Sequence, residues 1–293
     1  MQPVFKRHGT AFLLLLPTLV ILIFFLYLPT IQTFIMSLYQ VGFLGLSKMF
    51  VGVENYQIIF TEPEYRDIMV NTLVFVLGSV SLSMALGLAF AVLANEKVTG
   101  ARYYRLLLIW PYALPPAVAG VIFLFLFSAQ VGIINYFLGL IFGITPDWLA
   151  DPELAMTVVI LSTVWKNVGY NVVFYLAALQ NLPGDVLEAA TIDGATGWQR
   201  FWRITFPLLS PMTFFLLIMN TIAAFFDVFA FIDLITKGGP SNGTTVFIYA
   251  IYRDGFEYFK SGLAAAQSVF LFLLVVVLTV LKFRLQKKVH YAN

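Results

Sequence analysis

Two ionisable side chains interrupt otherwise apolar runs: Lys166 within Leu154–Leu179 and Asp227 within Pro207–Phe231. Asn167, Tyr170 and Asn171 stand beside Lys166, and Asn220 lies seven positions before Asp227. Residues three, four or seven apart share a helix face. Asn167 with Tyr170, and Asn220 with Asp227, therefore form two short polar stripes. Amides, a phenol and a carboxylate can bond the hydroxyls of a small polyol or sugar, with rings such as Phe226 or Trp165 packed alongside. Lys166 is the candidate cation for an anionic group. Ionisable groups at membrane depth are costly and point first to function. Two other uses remain open for Lys166: pairing with Asp227 or a partner chain for assembly, or snorkelling to a nearby membrane surface.

A second constellation is the polar stretch EAATIDGATGWQRFWRITFPLLSP, from Glu188 to Pro211. Asp185 and Glu188 have capping-box spacing, as do Thr196 and Gln199. Gly194 suits the left-handed residue that ends a helix. The spacing predicts a short helix from about Val186 to Asp193, a turn, and a second short helix ending near Pro207. The stretch serves either as a linker or as a stiff knob for docking another protein. Two capped helices exceed what a linker needs.

The elements that carry these residues follow from composition. The 293 residues are 60% hydrophobic and 11% charged, with mean hydropathy +0.89. Soluble domains carry about 25% charged residues, so the solvent for this chain is lipid. A net charge of +2 gives no case for nucleic acid. The absence of cysteine excludes disulfides and thiol chemistry, and His8 and His290 stand at opposite ends, so a metal site is not expected.

Runs of about 20 apolar residues span a bilayer. Six are expected: 11–39, 71–93, 106–127, 154–179, 207–231 and 263–281. The first follows Lys6, Arg7 and His8 but is too long for a signal peptide and reads as a retained anchor. Val131–Phe142 is too short to cross and reads as interfacial. The fold class expected is an all-α integral membrane protein, a single domain over 1–293, with a loop at 183–206 joining the fourth and fifth spans.

Six spans put both termini on one side, and Lys and Arg choose which. With the termini inside, the inner segments hold eleven: Lys6, Arg7, Lys97, Arg102, Arg105, Arg200, Arg203, Lys282, Arg284, Lys287 and Lys288. The outer segments hold five: Lys48, Arg66, Lys237, Arg253 and Lys260. Both termini and the 183–206 loop are thus expected in the cytoplasm. Pro111, Pro115 and Pro116 bend the third span, either for opening and closing or as ordinary bundle packing. The outer loop Lys237–Gly262 reads as turn-rich and exposed.

Glu188-Ala189-Ala190, Asp193-Gly194, Ile204 and Phe206-Pro207 resemble the EAA loop of membrane subunits of binding-protein-dependent ABC importers, with Phe206 where a Leu is usual. Trp110-Pro111-Tyr112-Ala113-Leu114-Pro115, and Gly238-Gly239-Pro240 with Thr244-Thr245, are similar to the carbohydrate-importer subgroup. Ala224-Phe225-Phe226-Asp227, Ile232-Asp233, Ile251–Phe256 and Ala265-Ala266-Gln267-Ser268 are most similar to its glycerol-3-phosphate branch. The resemblance implies a permease subunit in which Glu188, Ala189, Ala190, Asp193 and Gly194 couple to an ATPase. It implies as partners a second homologous permease, two ATP-binding subunits that hold ATP and magnesium, and an extracytoplasmic substrate-binding protein. It implies a substrate pathway at Asn167, Tyr170, Asn220 and Asp227, joined by Lys166 for an anionic cargo. No G-x-x-x-x-G-K-[ST] loop occurs, so no ATPase activity or cofactor is expected in this chain. A neutral di- or oligosaccharide is the alternative cargo. A secondary transporter would show internal repeats and membrane carboxylates for ion coupling, and a membrane enzyme a cluster of acids, His or Cys. Neither pattern is seen.

Overall fold

The computed structural model describes residues 8–42, 47–95 and 100–285; Lys6, Arg7, Lys97, Lys287 and Lys288 of the charge comparison lie outside them. The described residues are mostly helical. They also contain an antiparallel ribbon, β1 (Tyr39–Val41) and β2 (Lys48–Phe50), with Gln40 opposite Met49. This amends the all-α expectation. The ribbon is held by the Tyr39–Phe50 ring pair, 5.3 Å between centroids, and by Asn55 Nδ2 donating to the carbonyls of Ser37 and Tyr39 at 2.9 and 3.1 Å.

The chain forms two compact units. One comprises Met1–Glu62 with Ile251–Leu273. It opens on α1 (His8–Leu22), continued through a π-turn at Ile23–Tyr27 into α2 (Leu28–Met36), and α3 (Glu54–Thr61) follows the ribbon. Arg253 and Asp254 are buried in this unit, and Gln267 Nε2 donates to Asp254 Oδ2. A solvated outer loop at these residues is therefore not what forms.

The other unit comprises Pro63–Ala250 with Leu274–Asn293. Its long helices are α4 (Pro63–Asn95) and α8 (Pro152–Gln180); between them come α5 (Ala101–Ala113), α6 (Pro116–Leu126) and α7 (Ile133–Phe142). After α8 come α9 (Gly184–Ile192), α10 (Gly197–Arg200), a π-turn at Phe201–Thr205, α11 (Phe206–Leu208), α12 (Ser210–Phe226) and α13 (Phe229–Ile235). The chain then passes through α14 (Phe247–Tyr252) to α15 (Ser261–Leu285). Arg105 forks onto the Ala94 carbonyl at 3.0 and 2.6 Å, closing the last turn of α4.

Among the described residues, three helices can cross a membrane by length and hydropathy: Phe12–Met36, Pro63–Asn95 and Ser261–Arg284. Two bent pairs pass the same test jointly, Tyr103–Ala113 with Pro116–Leu126 at 102° and Gly197–Leu208 with Ser210–Phe226 at 65°. The expected third span, 106–127, is thus no continuous helix. Pro111 is tolerated inside α5, and the break falls at Leu114 and Pro115, both extended with ψ near 140°. A residue that precedes proline is driven from the helical region, and here two in succession are. Likewise the fifth run breaks at Leu209, so α12 starts three residues later than expected and ends at Asp227.

The segment after α13 folds inward. Thr244 and Thr245 are fully buried, Thr245 Oγ1 donates to the Gly238 carbonyl at 3.0 Å, and Phe247 N–H donates to Thr72 Oγ1 at 3.1 Å. The exposed loop expected from the GGPSNGTT composition is therefore a packed turn against α4. Turn residues report backbone shape, not solvent contact.

Candidate functional site

Lys166, Asn167, Tyr170, Asn220 and Asp227 all line one cavity of about 310 Å³. Two elements bring the stripes together. α8 presents Thr163, Lys166, Asn167 and Tyr170 along one face, and the last turns of α12 present Met219, Asn220 and Ala223, with Asp227 as the C-cap. The break between α5 and α6 adds Tyr112 and Pro116, and the start of α13 adds Val228 and Phe231. Gly169 permits the close approach of α5: a Cβ there would lie 2.8 Å from the Leu108 carbonyl oxygen.

The Lys166 ammonium sits over the Tyr112 ring, 4.9 Å from its centroid, a cation–π distance. Tyr112 tilts against Tyr170 at 5.4 Å, and Tyr170 against Phe174 at 4.7 Å, forming an aromatic wall. Trp165 turns from the polar stripe to meet Trp110 and Phe123 at 6.1 and 5.5 Å. Lys166 and Asp227 face the same cavity without forming a salt bridge, so the direct pairing left open by the sequence is not made. Asp227 is exposed to the cavity at a helix end, not buried mid-span.

Asn220 differs from its neighbours. Its Nδ2 donates to Asn171 Oδ1 at 2.8 Å and to the Leu216 carbonyl at 2.8 Å, and its Oδ1 accepts from Asn171 Nδ2 at 3.1 Å. Its amide is thus already engaged in holding α8 to α12. The side-chain amide of Asn167, the Tyr170 hydroxyl, the Asp227 carboxylate and the Lys166 ammonium form no protein hydrogen bond among the described residues. Those four groups are free to bond a solute. Tyr112 escaped the sequence argument because it lies outside both stripes. Its signal was the proline on either side, marking a helix end within an apolar run.

The 183–206 stretch forms the expected pair of short helices, with one correction. Pro183, extended at ψ 115°, occupies the N-cap place of α9, and no side chain caps that helix. Asp185 already has helical geometry in the first turn and cannot reach back as a cap; its charge still favours that end. The helix closes in a Schellman motif: Gly194 N–H donates to the Thr191 carbonyl at 3.1 Å and Ala195 N–H to the Ala190 carbonyl at 3.0 Å, with Gly194 at φ +79°. Thr196 and Gln199 form the full capping box, at 3.3 and 3.0 Å. Arg200 Nη1 donates to Thr191 Oγ1 at 3.0 Å, joining the second helix to the first. Glu188, Ala189, Asp193 and Gly194 are exposed, whereas Ala190 is buried and packs inward.

The profile of the "Binding-protein-dependent transport system inner membrane component" family matches residues 83–291, which include the cavity's α8 and α12 and the whole 183–206 stretch. The chain belongs to this family. The permease is 43% identical over 291 residues to the sn-glycerol-3-phosphate transport system permease protein UgpA of Pectobacterium atrosepticum, covering 99% of this chain and 98% of that one. It is 41% identical over 289 residues to the protein of the same name from Agrobacterium fabrum, covering 98% of each. Its fold is that of a chain in the crystal structure of a bacterial ABC transporter involved in the import of the acidic polysaccharide alginate, with a TM-score of 0.84 at 23% identity over 98% of both chains. It is a multi-pass membrane protein.

Proposed function

We propose that the permease forms half of the translocation pore of an ATP-driven importer for sn-glycerol 3-phosphate or its glycerophosphodiesters. The observation that carries the reading is the cavity in which an ammonium and a carboxylate lie unpaired among free hydroxyl- and amide-bearing side chains. A phosphate ester needs a cation, and Lys166 supplies it. Asp227, Asn167 and Tyr170 accept from or donate to the glycerol hydroxyls. Full-length relatives named for sn-glycerol-3-phosphate transport support the substrate class.

Within this reading the chain crosses the membrane six times, with both termini in the cytoplasm. The pore is completed by a second homologous permease subunit. Two ATP-binding subunits hold ATP and magnesium and dock on the exposed face of α9 through Glu188, Ala189, Asp193 and Gly194, with Ala190 packed behind. An extracytoplasmic binding protein delivers the solute. Closure of the ATPase pair favours the outward-open arrangement only if docking is stronger there than in the inward-open one. The permease itself carries out no chemistry on nucleotide or cargo.

The test is the ATPase rate of the reconstituted assembly with its binding protein. The expected outcome is stimulation by glycerol 3-phosphate that is lost in Lys166→Gln. Stimulation by a neutral disaccharide, indifferent to Lys166→Gln, would replace this cargo with the second reading. That reading is favoured by the Asp227 carboxylate, which repels an anion.

A further inference from the structure

The second arm of the 183–206 stretch carries a feature that protein docking on α9 leaves unused. Trp198, Trp202 and Phe206 form one ladder of edge-on and tilted contacts, with ring centroids 5.6 and 5.3 Å apart, and Phe201 meets the edge of Trp202 at 5.1 Å. The ladder is open: Trp198 is 74% exposed and Trp202 46%. α9 presents a mixed surface, with Glu188 and Asp193 beside Val186 and Ile192, all exposed.

Geometry points to what covers the rings. The arm Gly197–Leu208 leaves α12 at 65°. Twelve helical residues measure about 18 Å. With α12 along the membrane normal, an arm at that angle changes depth by only about 8 Å, close to the thickness of one polar headgroup layer (roughly 5–8 Å on each side of the hydrocarbon). The ladder also adjoins α12 through Phe206, on the near side of the Leu209 break. An indole combines an apolar body with one N–H donor, which suits this layer. Arg203, exposed beside the rings, has the charge to meet lipid phosphate.

We propose that the Trp198–Trp202–Phe206 ladder is seated in the headgroup layer of the cytoplasmic leaflet, with Arg203 against phospholipid phosphate. The stretch then has two faces, α9 for a protein and the Trp198 arm for lipid, joined by the Arg200–Thr191 bond. The identity of the leaflet and the protein partner of α9 rest on the function proposed for the chain. When α9 is pulled, the arm slides within the layer and passes the motion to α12 at the Leu209 break.

The chain contains no cysteine, so W198C, W202C and I192C each report one position through a nitroxide label. In the whole assembly, reconstituted in phosphatidylcholine–phosphatidylglycerol nanodiscs, labels at 198 and 202 should collide more with oxygen than with a water-soluble nickel chelate. Low collision with both reagents would mean that protein covers the ladder, and high collision with nickel that water does; either result overturns the proposal. Unlabelled protein gives a second measurement. The emission lost between the unsubstituted assembly and W198F/W202F should be quenched in brominated phosphatidylcholine, and unquenched emission also overturns the proposal. None of these readouts depends on the cargo. A label at 192 that remains open to nickel in the full assembly counts against docking on α9 while leaving the ladder's seat intact.

Discussion

Asn171 and Asn220, 49 residues apart in sequence, exchange two side-chain hydrogen bonds at 3.1 and 2.8 Å and so fasten α8 to α12 beside the cavity. Both are buried, and each also donates to its own helix, to the carbonyls of Asn167 and Leu216. Interhelical polar contacts in membranes contribute about 0.6–2 kcal/mol. Removing one partner leaves the other buried amide with an unmet hydrogen bond. Asn171→Ala and Asn220→Ala are each expected to lower the thermal midpoint of the solubilised assembly, and the double variant to lower it by less than the sum. Additive losses in that cycle would show the amides to be energetically independent.

The cavity's charges predict opposite selectivities. A charge-assisted hydrogen bond contributes about 1.5–3 kcal/mol, which corresponds to roughly 10- to 100-fold in affinity. Lys166→Gln is expected to reduce uptake of glycerol 3-phosphate by that order, while Lys166→Arg retains most of it. Asp227→Asn should raise the affinity for phosphate by relieving repulsion while weakening discrimination for the glycerol moiety. Initial uptake rates into proteoliposomes, measured against glycerol 3-phosphate and inorganic phosphate, check both.

Gly194 is a conformational requirement with open space around it. Its φ is +79°, and no atom lies within 4 Å of a Cβ built there. Within the chain, strain on substitution therefore arises from the left-handed backbone, at about 1–2 kcal/mol for a β-branched residue. Gly194→Val should uncouple substrate-stimulated ATPase activity without loss of membrane insertion, and Gly194→Asn should retain much of it because asparagine tolerates this region. Equal defects in the two variants would show that crowding of the docked ATPase subunit, and not backbone strain, causes the loss.

Lys282 donates to Thr221 Oγ1 and to the Leu217 carbonyl at 3.3 Å, while Thr221 Oγ1 itself donates to Leu217 at 2.6 Å. Lys282→Met removes the ammonium and leaves Thr221 bonded, a small loss of about 1 kcal/mol. Thr221→Val leaves a half-buried cation with one acceptor and should cost more. Adding Lys282→Met to Thr221→Val should then recover stability, as read by thermal midpoint.

Charge within apolar runs selects Lys166 and Asp227, and helical spacing adds Asn167, Tyr170 and Asn220, because each set follows one local pattern and needs no knowledge of its neighbours. That the two stripes face one another depends on the packing of α8 against α12, which no local pattern encodes. For the same reason the engagement of Asn220 by Asn171 is invisible in the sequence, as is the bond from Lys282, whose charge reads there only as a marker of sidedness. The corner at Leu114 is legible as a bend from its prolines, but its 102° angle is not written in any local pattern. Asp185 illustrates a different shortfall. Asp185 and Glu188 satisfy the capping spacing, yet Pro183 takes the extended position two residues earlier and starts the helix first.

The corner between α5 and α6 has a bearing on how a chain can turn within oil. A sharp turn at membrane depth strands amide protons where no water can reach them, at several kcal/mol each. Pro115 and Pro116 have no such proton to strand, and the flanking amides of Leu114 and Ala119 are quenched by the carbonyls of Pro111 and Pro115, both at 3.2 Å. The prolines that force the turn thus also remove two of the amide protons it would otherwise strand, and Tyr112 and Pro116 stand beside the cavity on either side of that turn.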